Sequence, residues 1–584
     1  MLRIQQKKRL IFIIFFILVS IFITLFLNGF ISITLTTSQA ERGNIIDKNG
    51  FILATNKNVD SLYYLPNTNC PTSQETAKLE DFVSEFSSLF HRNISITNIN
   101  KRLKETCRDL NKKPILLYSN LTEQELSFIN KNRFHNLSVQ SESIRIYPQH
   151  EVGSQVIGYV ENNDFPSTRV GVNGIERQYE EELKGTLEKR IVLQINKKQY
   201  FWRIQNKERG KDIQLSLDSK LQQKVEEALK SQLQLTQNRA EGYAVAMNVK
   251  TGNILAMANS STFDPNILSM EDSVSKNEQL KVLAQNKTIQ KIKYDDSYIN
   301  MGSTIKPLTI LIGLNEKLFE PLDTYVDHGD FQYDNQNDVK NELGTPTGEI
   351  TPSQAIINSS NTFMTAKVAI PLLNKNNGSI EKVASAWTNY LEQFGLRSKT
   401  GIDLPFEEED KYVLRSNMKF EHGLSALLNA SWGGNEVHTP LQLAQYAATI
   451  ANKGIKYKPQ VATTILNDHG KIEKPLQPIV ESSNHYPASF WTVLQNGMNN
   501  HIQEMKDLPF DVTGKTGTTS SPNKDGTVVN HSLFIAYAPT NDPEIAISVV
   551  IPGGGLGANS AAPVAANILK AWDALHNKET GSTQ

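Results

Sequence analysis

Two cysteines in 584 residues, Cys70 and Cys107, are too few for a disulfide framework or a thiolate-based zinc site. Whether they bond to each other is open on sequence. Net charge is nearly absent as well, since 60 Lys and Arg face 61 Asp and Glu. A chain without a basic excess offers no concentrated face to a phosphate backbone, so no nucleic-acid partner is expected. No short-period repeat is visible. Charge is also missing locally, with none between Arg9 and Glu41.

That uncharged stretch is rich in Leu, Ile, Phe and Val from Leu10 to Leu27, is interrupted at Asn28-Gly29, and partly resumes from Phe30 to Leu35. At about 1.5 Å per residue it is long enough to cross a hydrocarbon core of about 30 Å. Arg3, Lys7, Lys8 and Arg9 form a basic flank that belongs on the cytoplasmic side. The expectation is a cytoplasmic tail at 1–9 and a single transmembrane helix at 10–34, with everything after it outside. A cleaved signal peptide fits less well, because the run exceeds an ordinary signal core and Ala40-Glu41 is a poor cleavage cue.

With 39% apolar residues the chain can build real cores, and its length calls for two or three domains. Ile45-Ile46, Asn49-Gly50 and Phe51-Ile52-Leu53 read as strand, tight turn and returning strand. Residues 60–150 read as a polar, surface-rich subdomain with helical stretches near 74–90 and 121–131. Ile175, Tyr179 and Leu183 recur at helical spacing before Gly185. Asp218 is placed to cap a helix carrying Leu221, Val225, Ala228 and Leu229. A new domain begins near Glu241, with buried strands at 243–247 and 254–258. Late strands at 512–518, 532–537 and 544–551 precede a terminal helix. Two strands, helices, three strands and a helix imply an antiparallel sheet covered by helices.

Chemistry concentrates in this second domain. Ser303 and Lys306 are three residues apart, and on a helix that spacing puts both on one face. A serine hydroxyl needs a neighbouring base, and a lysine serves only when burial or a second cation keeps it neutral. The apolar run Leu308–Leu314 supplies such a dry setting. Ser-x-x-Lys also occurs at Ser273/Lys276, Ser379/Lys382, Ser416/Lys419 and Ser521/Lys524, all in more polar company. Ser359-Ser360-Asn361 offers a proton relay at Ser359 and a group at Asn361 to hold Lys306 and a substrate amide. A polar turn or cap is the plain alternative for any such triplet. Lys-Thr-Gly occurs at Lys250, Lys399 and Lys515, but only Lys515-Thr516-Gly517-Thr518 lies on a late strand. There a cation can hold a carboxylate, and Gly517 lets a flat substrate approach the backbone.

The ordered set Ser303-Thr-Ile-Lys306, Ser359-Ser-Asn361 and Lys515-Thr-Gly-Thr518 closely resembles the three motifs of the class B penicillin-binding proteins. The flanks agree. Arg42-Gly43 with Asp47-Lys48-Asn49-Gly50 looks like that family's opening motif, with Lys48 where Arg is common. Gly174-Ile175-Glu176 with Leu183-Lys184-Gly185, Asp264-Pro265-Asn266 and Thr439-Pro440-Leu-Gln-Leu-Ala444 match further ones. The resemblance covers nearly the whole chain.

It implies a multidomain α+β protein: a transmembrane anchor, a non-catalytic pedestal of the dimerisation type at 40–235, a transpeptidase fold with a five-stranded antiparallel sheet at 240–577, and a flexible tail at 578–584. It implies a bacterial cell-membrane location with the catalytic part outside. The implied activity is serine D,D-transpeptidation of peptidoglycan stem peptides through an acyl-enzyme on Ser303, with covalent β-lactam binding. No metal, organic cofactor or glycosyltransferase activity is implied. By the same resemblance Lys306, Ser359, Asn361 and Lys515 join Ser303 in catalysis. The backbone N–H groups of Ser303 and Thr518 form the oxyanion hole, and Lys515, Thr516, Gly517 and Thr518 bind the substrate or β-lactam carboxylate. Partners would be stem-peptide donors and acceptors, and proteins of glycan polymerisation, division, elongation or sporulation. A D,D-carboxypeptidase shares the machinery, and a wall-complex scaffold or β-lactam sensor shares the fold.

Overall fold

The computed structural model describes residues 31–38, 40–65, 72–92, 96–108, 114–132, 136–163, 168–195, 198–236, 241–269, 293–294, 297–333, 338–407, 423–435, 437–499, 503–522 and 526–581. The expected tail at 1–9, residues 10–30 of the expected span, Cys70, and the Ser-x-x-Lys pairs at 273/276 and 416/419 lie outside these.

The chain enters the described part as a strand. β1 (Ile31–Ser38) reads Ile-Ser-Ile-Thr-Leu-Thr-Thr-Ser, alternating polar and apolar residues with several β-branched ones. It pairs antiparallel with Glu188–Ile195, from Ile31↔Ile195 to Ser38↔Glu188. This corrects the expected transmembrane helix. Hydropathy alone merges residues 31–34 into the apolar run, whereas their period-two pattern makes a strand. Among the described residues no helix is long and apolar enough to cross a membrane. The single-pass membrane topology, and the cell-membrane location that rested on it, are therefore not supported.

Next come β2 (Ile45–Ile46) and β3 (Ile52–Tyr64), joined by the Asn49-Gly50 turn, where Gly50 has φ 84°. The Asp47 carboxylate accepts from the N–H groups of Asn49 and Phe51 and sets that turn. β3 continues the sheet through Ile115–Tyr118 and Leu137–Ile146. The helices Ser73–Phe90 and Glu123–Lys131 each start in a capping box, Thr72/Glu75 and Thr122/Glu125. Phe82, Phe86, Ile115, Leu117 and Ile129 form a separate small core here. The helical spacing at 175–183 resolves into two short helices, Gly174–Gln178 and Glu180–Leu183, broken at Tyr179. Below them, Glu176 is fully buried between two guanidinium groups, 2.6 Å from Arg42 Nε and 2.7 Å from Arg145 Nε. Burial opposes its ionisation, and Arg145 and Arg42 overcome that to hold its carboxyl below the usual range.

The two parts of the chain share a sheet. The strand Asp212–Leu215 pairs parallel with β2 on one side, and antiparallel with Ala462–Leu466 of the second half on the other. The helix Ser219–Leu235 then begins at Asp218, whose side chain accepts from the N–H groups of Lys220 and Leu221. On this helix Glu226 Oε1 accepts from Gly153 N–H at 2.9 Å and Gln222 Nε2 at 2.7 Å, pinning the pedestal loop. Burial pushes this carboxyl up to about 7, against those two bonds. The fold thus favours the neutral acid. Its stabilising share is complete below the unfolded carboxyl pKa and is lost as pH rises through about 7. Glu226→Gln keeps the accepting oxygen, so it should raise the melting temperature by about 2–4 °C at pH 8 and not at pH 5. Thermal scans of both proteins at the two pH values check this.

The second half is built on a five-stranded antiparallel sheet in the order Ile254–Asn259, Tyr243–Asn248, Ile545–Ile551, Val528–Ala538, Thr513–Pro522. Alternate side chains serve two cores. Ala244, Ala246, Phe534, Ile547 and Val549 meet Leu221, Val225 and Leu229, with Ala565, Ile568 and Leu569 of the terminal helix Ala561–Gly581. Val245, Met247, Ile535, Tyr537 and Val550 belong to the larger core with Leu308, Ile312, Leu443 and Ala447. The strand Thr513–Pro522 is the edge of the sheet, and the candidate site lies against it.

Candidate active site

Residues Gly302–Ile305 form a 3-10 turn that runs into the helix Lys306–Asn315. Pro307 fits its first turn, where a missing N–H costs nothing. Every residue from Lys306 to Leu314 is buried. The Leu308 N–H is taken by Tyr446 Oη at 3.2 Å, and Thr309 Oγ1 donates to Ser431 O at 2.8 Å, which fixes the helix start.

Two glycines let the Gly302–Ile305 turn sit where it does. Gly302 has φ 54°, and a Cβ there would lie 2.7 Å from Thr518 O. Gly433 has φ 103°, and a Cβ there would lie 1.9 Å from Gly302 O. The turn is wedged between the edge strand and the loop after Trp432, and Gly302 N–H donates to Gly433 O at 3.1 Å. Gly517 belongs to the same packing. Its missing Cβ would meet Thr304 Cγ2 at 2.8 Å and Met301 O at 3.0 Å. The lack of a side chain at Gly517 therefore admits the Gly302–Ile305 turn.

Three motifs far apart in sequence converge here. Ser359 Oγ donates to Ser303 Oγ at 2.9 Å. Lys306 Nζ lies 3.0 Å from Ser359 Oγ, 2.5 Å from Ser359 O and 2.7 Å from Asn361 Oδ1. Lys515 Nζ approaches Ser359 Oγ at 3.4 Å and donates to Thr516 O at 3.1 Å. Ser359 holds a left-handed backbone, φ 52°, which costs a non-glycine residue energy and commonly marks a functional turn. Burial, then the Lys515 cation, drive the Lys306 amine well below the ordinary lysine range, against the pull of Glu342 and Asp327. Burial brings Lys515 down to about 8, with Glu342 opposing.

Thr516 and Thr518 lie on the same edge strand, and Thr518 Oγ1 accepts from Gly557 N–H at 3.2 Å. The rival motifs go elsewhere. Ser379 is the N-cap of the helix Ile380–Gln393 and accepts from Lys382 N–H. Lys250 sits in the hairpin turn after Asn248, whose side chain accepts its N–H.

Sequence reasoning missed the group behind the 359–362 turn. Asp327, 1% exposed, accepts from Asn341, Thr347, Ser360, Thr362 and the Gly329 N–H. These donors are scattered over some thirty positions with no motif spacing. No sequence signal pointed to them. Among the described residues no group of three or more His, Cys, Asp or Glu is placed to hold a metal ion.

A Ser-x-x-Lys turn wedged against the edge of a five-stranded antiparallel sheet, above an α+β pedestal, defines the class: a serine transpeptidase fold of the penicillin-recognising kind. The chain belongs to the penicillin-binding proteins. The family model described as Penicillin binding protein transpeptidase domain matches residues 242–570, and that described as Penicillin-binding Protein dimerisation domain matches 37–215. The chain is 27% identical to Penicillin-binding protein 2B of Streptococcus pneumoniae over 455 residues, covering 72% of this chain and 63% of that protein. It thus spans less than two thirds of that relative's length. It is 26% identical to Peptidoglycan D,D-transpeptidase MrdA of Acinetobacter baumannii, covering 91% of this chain and 80% of that one. Its fold matches the penicillin-binding protein solved in complex with MreC from Helicobacter pylori, with TM-score 0.71, 18% identity and coverage of 93% and 99%.

Proposed function

We propose that this protein is a serine D,D-transpeptidase that crosslinks peptidoglycan stem peptides and is acylated by β-lactams at Ser303. The observation that carries the reading is the arrangement around Lys306 Nζ. A neutral amine has two N–H bonds and one lone pair. Two carbonyl oxygens, Ser359 O and Asn361 Oδ1, are placed to take the two N–H groups. The third neighbour, Ser359 Oγ, points its one proton at Ser303 Oγ at rest, and in the relay that proton would turn to the lone pair as Ser303 donates to Ser359 Oγ. Its own partner is Ser303 Oγ, so the proton of Ser303 would reach Lys306 through Ser359.

In the proposed reaction Ser303 Oγ bonds to the D-Ala-D-Ala carbonyl carbon, and the Ser303 proton passes to Lys306. The backbone N–H groups of Ser303 and Thr518 would hold the oxyanion, because the wedge at Gly302 keeps the two segments together. The peptide C–N bond then breaks, and the leaving D-Ala amine takes the proton back by way of Ser359. An amine from a second stem peptide attacks the ester and frees Ser303. Lys515, Thr516 and Thr518 would grip the terminal carboxylate, with Gly517 keeping their strand close to the nucleophile. Asn361 would steady Lys306 and the substrate amide.

The bounds 40–235 and 240–577 are the proposed pedestal and transpeptidase domains, with a tail at 578–584. Likeness to a protein solved with MreC supports a partner among the proteins of peptidoglycan synthesis for the pedestal.

The test is labelling by a fluorescent penicillin with mass mapping of the adduct. Label on Ser303, and none in Ser303→Ala of unchanged melting temperature, is the expected result. A folded wild-type chain that takes no label, or takes it elsewhere, would overturn the reading. Product analysis with a stem peptide and an acceptor amine then separates crosslinking from hydrolysis.

A further inference from the structure

Behind the reacting groups lies a buried carboxylate, Asp327. An acceptor-only carboxylate has room for about four hydrogen bonds. Asp327 uses all its capacity on donors from four separate stretches. Oδ1 accepts from Gly329 N–H at 2.8 Å, Asn341 Nδ2 at 3.0 Å and Thr362 Oγ1 at 2.8 Å. Oδ2 accepts from Asn341 Nδ2 at 2.8 Å, Thr347 Oγ1 at 2.7 Å and Ser360 Oγ at 2.7 Å. Burial opposes its ionisation, and the bonds from Thr347, Ser360, Asn341 and Gly329 overcome this and keep the carboxyl below its usual range.

Asn341, itself buried, extends the grip. Its Oδ1 accepts from Asn361 N–H at 2.8 Å and Thr362 N–H at 3.2 Å. Asn361 Nδ2 meanwhile donates to Lys340 O at 2.9 Å, which leaves Oδ1 turned to Lys306 Nζ at 2.7 Å. Asp327 and Asn341 therefore hold all three residues that follow Ser359, namely Ser360, Asn361 and Thr362, and Ser359 is the residue in the costly left-handed conformation. Within the turn Ser360 Oγ accepts from Phe363 N–H at 3.0 Å, and Ser360 N–H donates to Ala355 O at 3.0 Å. The bonds from the Ser360 and Thr362 hydroxyls into Asp327, and from the Asn361 and Thr362 N–H groups into Asn341, over-determine the turn from outside.

We propose that Asp327, acting with Asn341, is the positioning device of the site: it locks the 359–362 turn so that Ser359 Oγ and Asn361 Oδ1 face Lys306. Neither residue touches the reacting atoms, and both act through others. The inference rests on the transpeptidase reading. Loosening the turn misplaces two of the three groups around the amine, and a displacement of about 1 Å in such a constellation costs about 100-fold in rate. An amide at 327 keeps one accepting oxygen and puts an N–H against donors that now point at oxygen, so the lock opens at constant size.

The test is the rate of acylation of the full chain by a fluorescent penicillin, followed against pH, in Asp327→Asn and Asn341→Ala. Ser303→Ala serves as the unlabelled control. The expected loss in both variants is about 10- to 100-fold in rate, with cooperative melting retained. The pH profile separates positioning from folding. The charged groups facing the Lys306 amine are Lys515, Glu342 and Asp327. Asp327 favours the protonated amine, so Asp327→Asn should move the acid limb to lower pH, whereas the neutral change Asn341→Ala should leave it in place. Rates within about two-fold of wild type in both variants would overturn the proposal. So would an unmoved limb in Asp327→Asn with only the labelled fraction reduced, which marks a folding role. If Asp327→Asn does not fold, the rate in Asn341→Ala alone decides. A wild-type chain that takes no label would instead sink the transpeptidase reading.

Discussion

Lys306→Met should slow acylation by penicillin about 100- to 10,000-fold, the range expected for loss of a positioned general base, while the protein stays folded. Methionine matches the lysine stem in length and adapts to irregular apolar space. Lys306 is 0% exposed and starts a helix buried through Leu314, so the variant exchanges a desolvated amine for an apolar tip in a dry site. The amine is costly to bury, as its depressed proton affinity attests. Its replacement should leave the melting temperature unchanged or higher. Activity and stability then move in opposite directions, as expected where a site is kept at the expense of stability. A variant that loses label only because it has lost its melting transition would refute this. Ser303→Ala differs in kind, since it removes the atom that takes the acyl group and no label at all is expected.

The legible part of the site was the part written in local spacing. Ser303 and Lys306 are three apart, and the turn they occupy keeps that spacing in three dimensions. The apolar run behind them singled out one pair among five, and its lysine is buried beside Ser359. Lys515 was legible for a similar reason: its strand is flanked by turn signals and lies next to an unmistakable buried strand, Val528–Ala538. Asp327 and Asn341 were not legible. They sit in short strands and turns whose side chains meet only after Tyr325–Asp327 pairs with Gly348–Ile350. Their chemistry, an amide and a carboxylate saturated by hydroxyls, has no fixed spacing to recognise. The same holds for Arg145, whose tie to Glu176 crosses the pedestal and is invisible from the strand that carries it.

The fold divides along the same line. Strands that are short continuous apolar runs, such as Tyr243–Asn248, were readable because each side chain faces one of two cores. The error at Ile31–Ser38 came from the opposite weighting. Mean apolarity joined these residues to the run before them, although Ser32, Thr34 and Thr36 alternate with Ile31, Ile33 and Leu35. Hydropathy reports what a segment avoids, and periodicity reports how it is paired. In this strand the second is the better guide, because its partner Glu188–Ile195 supplies hydrogen bonds along its whole length.

Lys515→Met should change the shape of the pH profile as well as its height. In the proposed mechanism the reactive form needs a proton on Lys515 and none on Lys306. With burial holding Lys515 at about 8, the wild-type acylation rate should fall on the alkaline side near that pH, as the carboxylate grip loses its charge. The acid limb reports the pair, since each amine feels the other. Removing the Lys515 cation has two consequences of known sign. The ligand carboxylate loses a buried ionic partner, which costs about 2–4 kcal/mol, or roughly 30- to 1,000-fold in rate. The Lys306 amine loses the neighbour that, after burial, does most to depress its proton affinity, so its acid limb should move to higher pH. The variant should therefore lack the alkaline fall and recover part of its rate as pH is raised. A ligand without the carboxylate should be penalised far less. Acylation rates from pH 5 to 10, with a penicillin and its ester, check all three. An alkaline limb that persists near 8 in Lys515→Met would show that another group carries that proton, and the division of labour between the two lysines would fail.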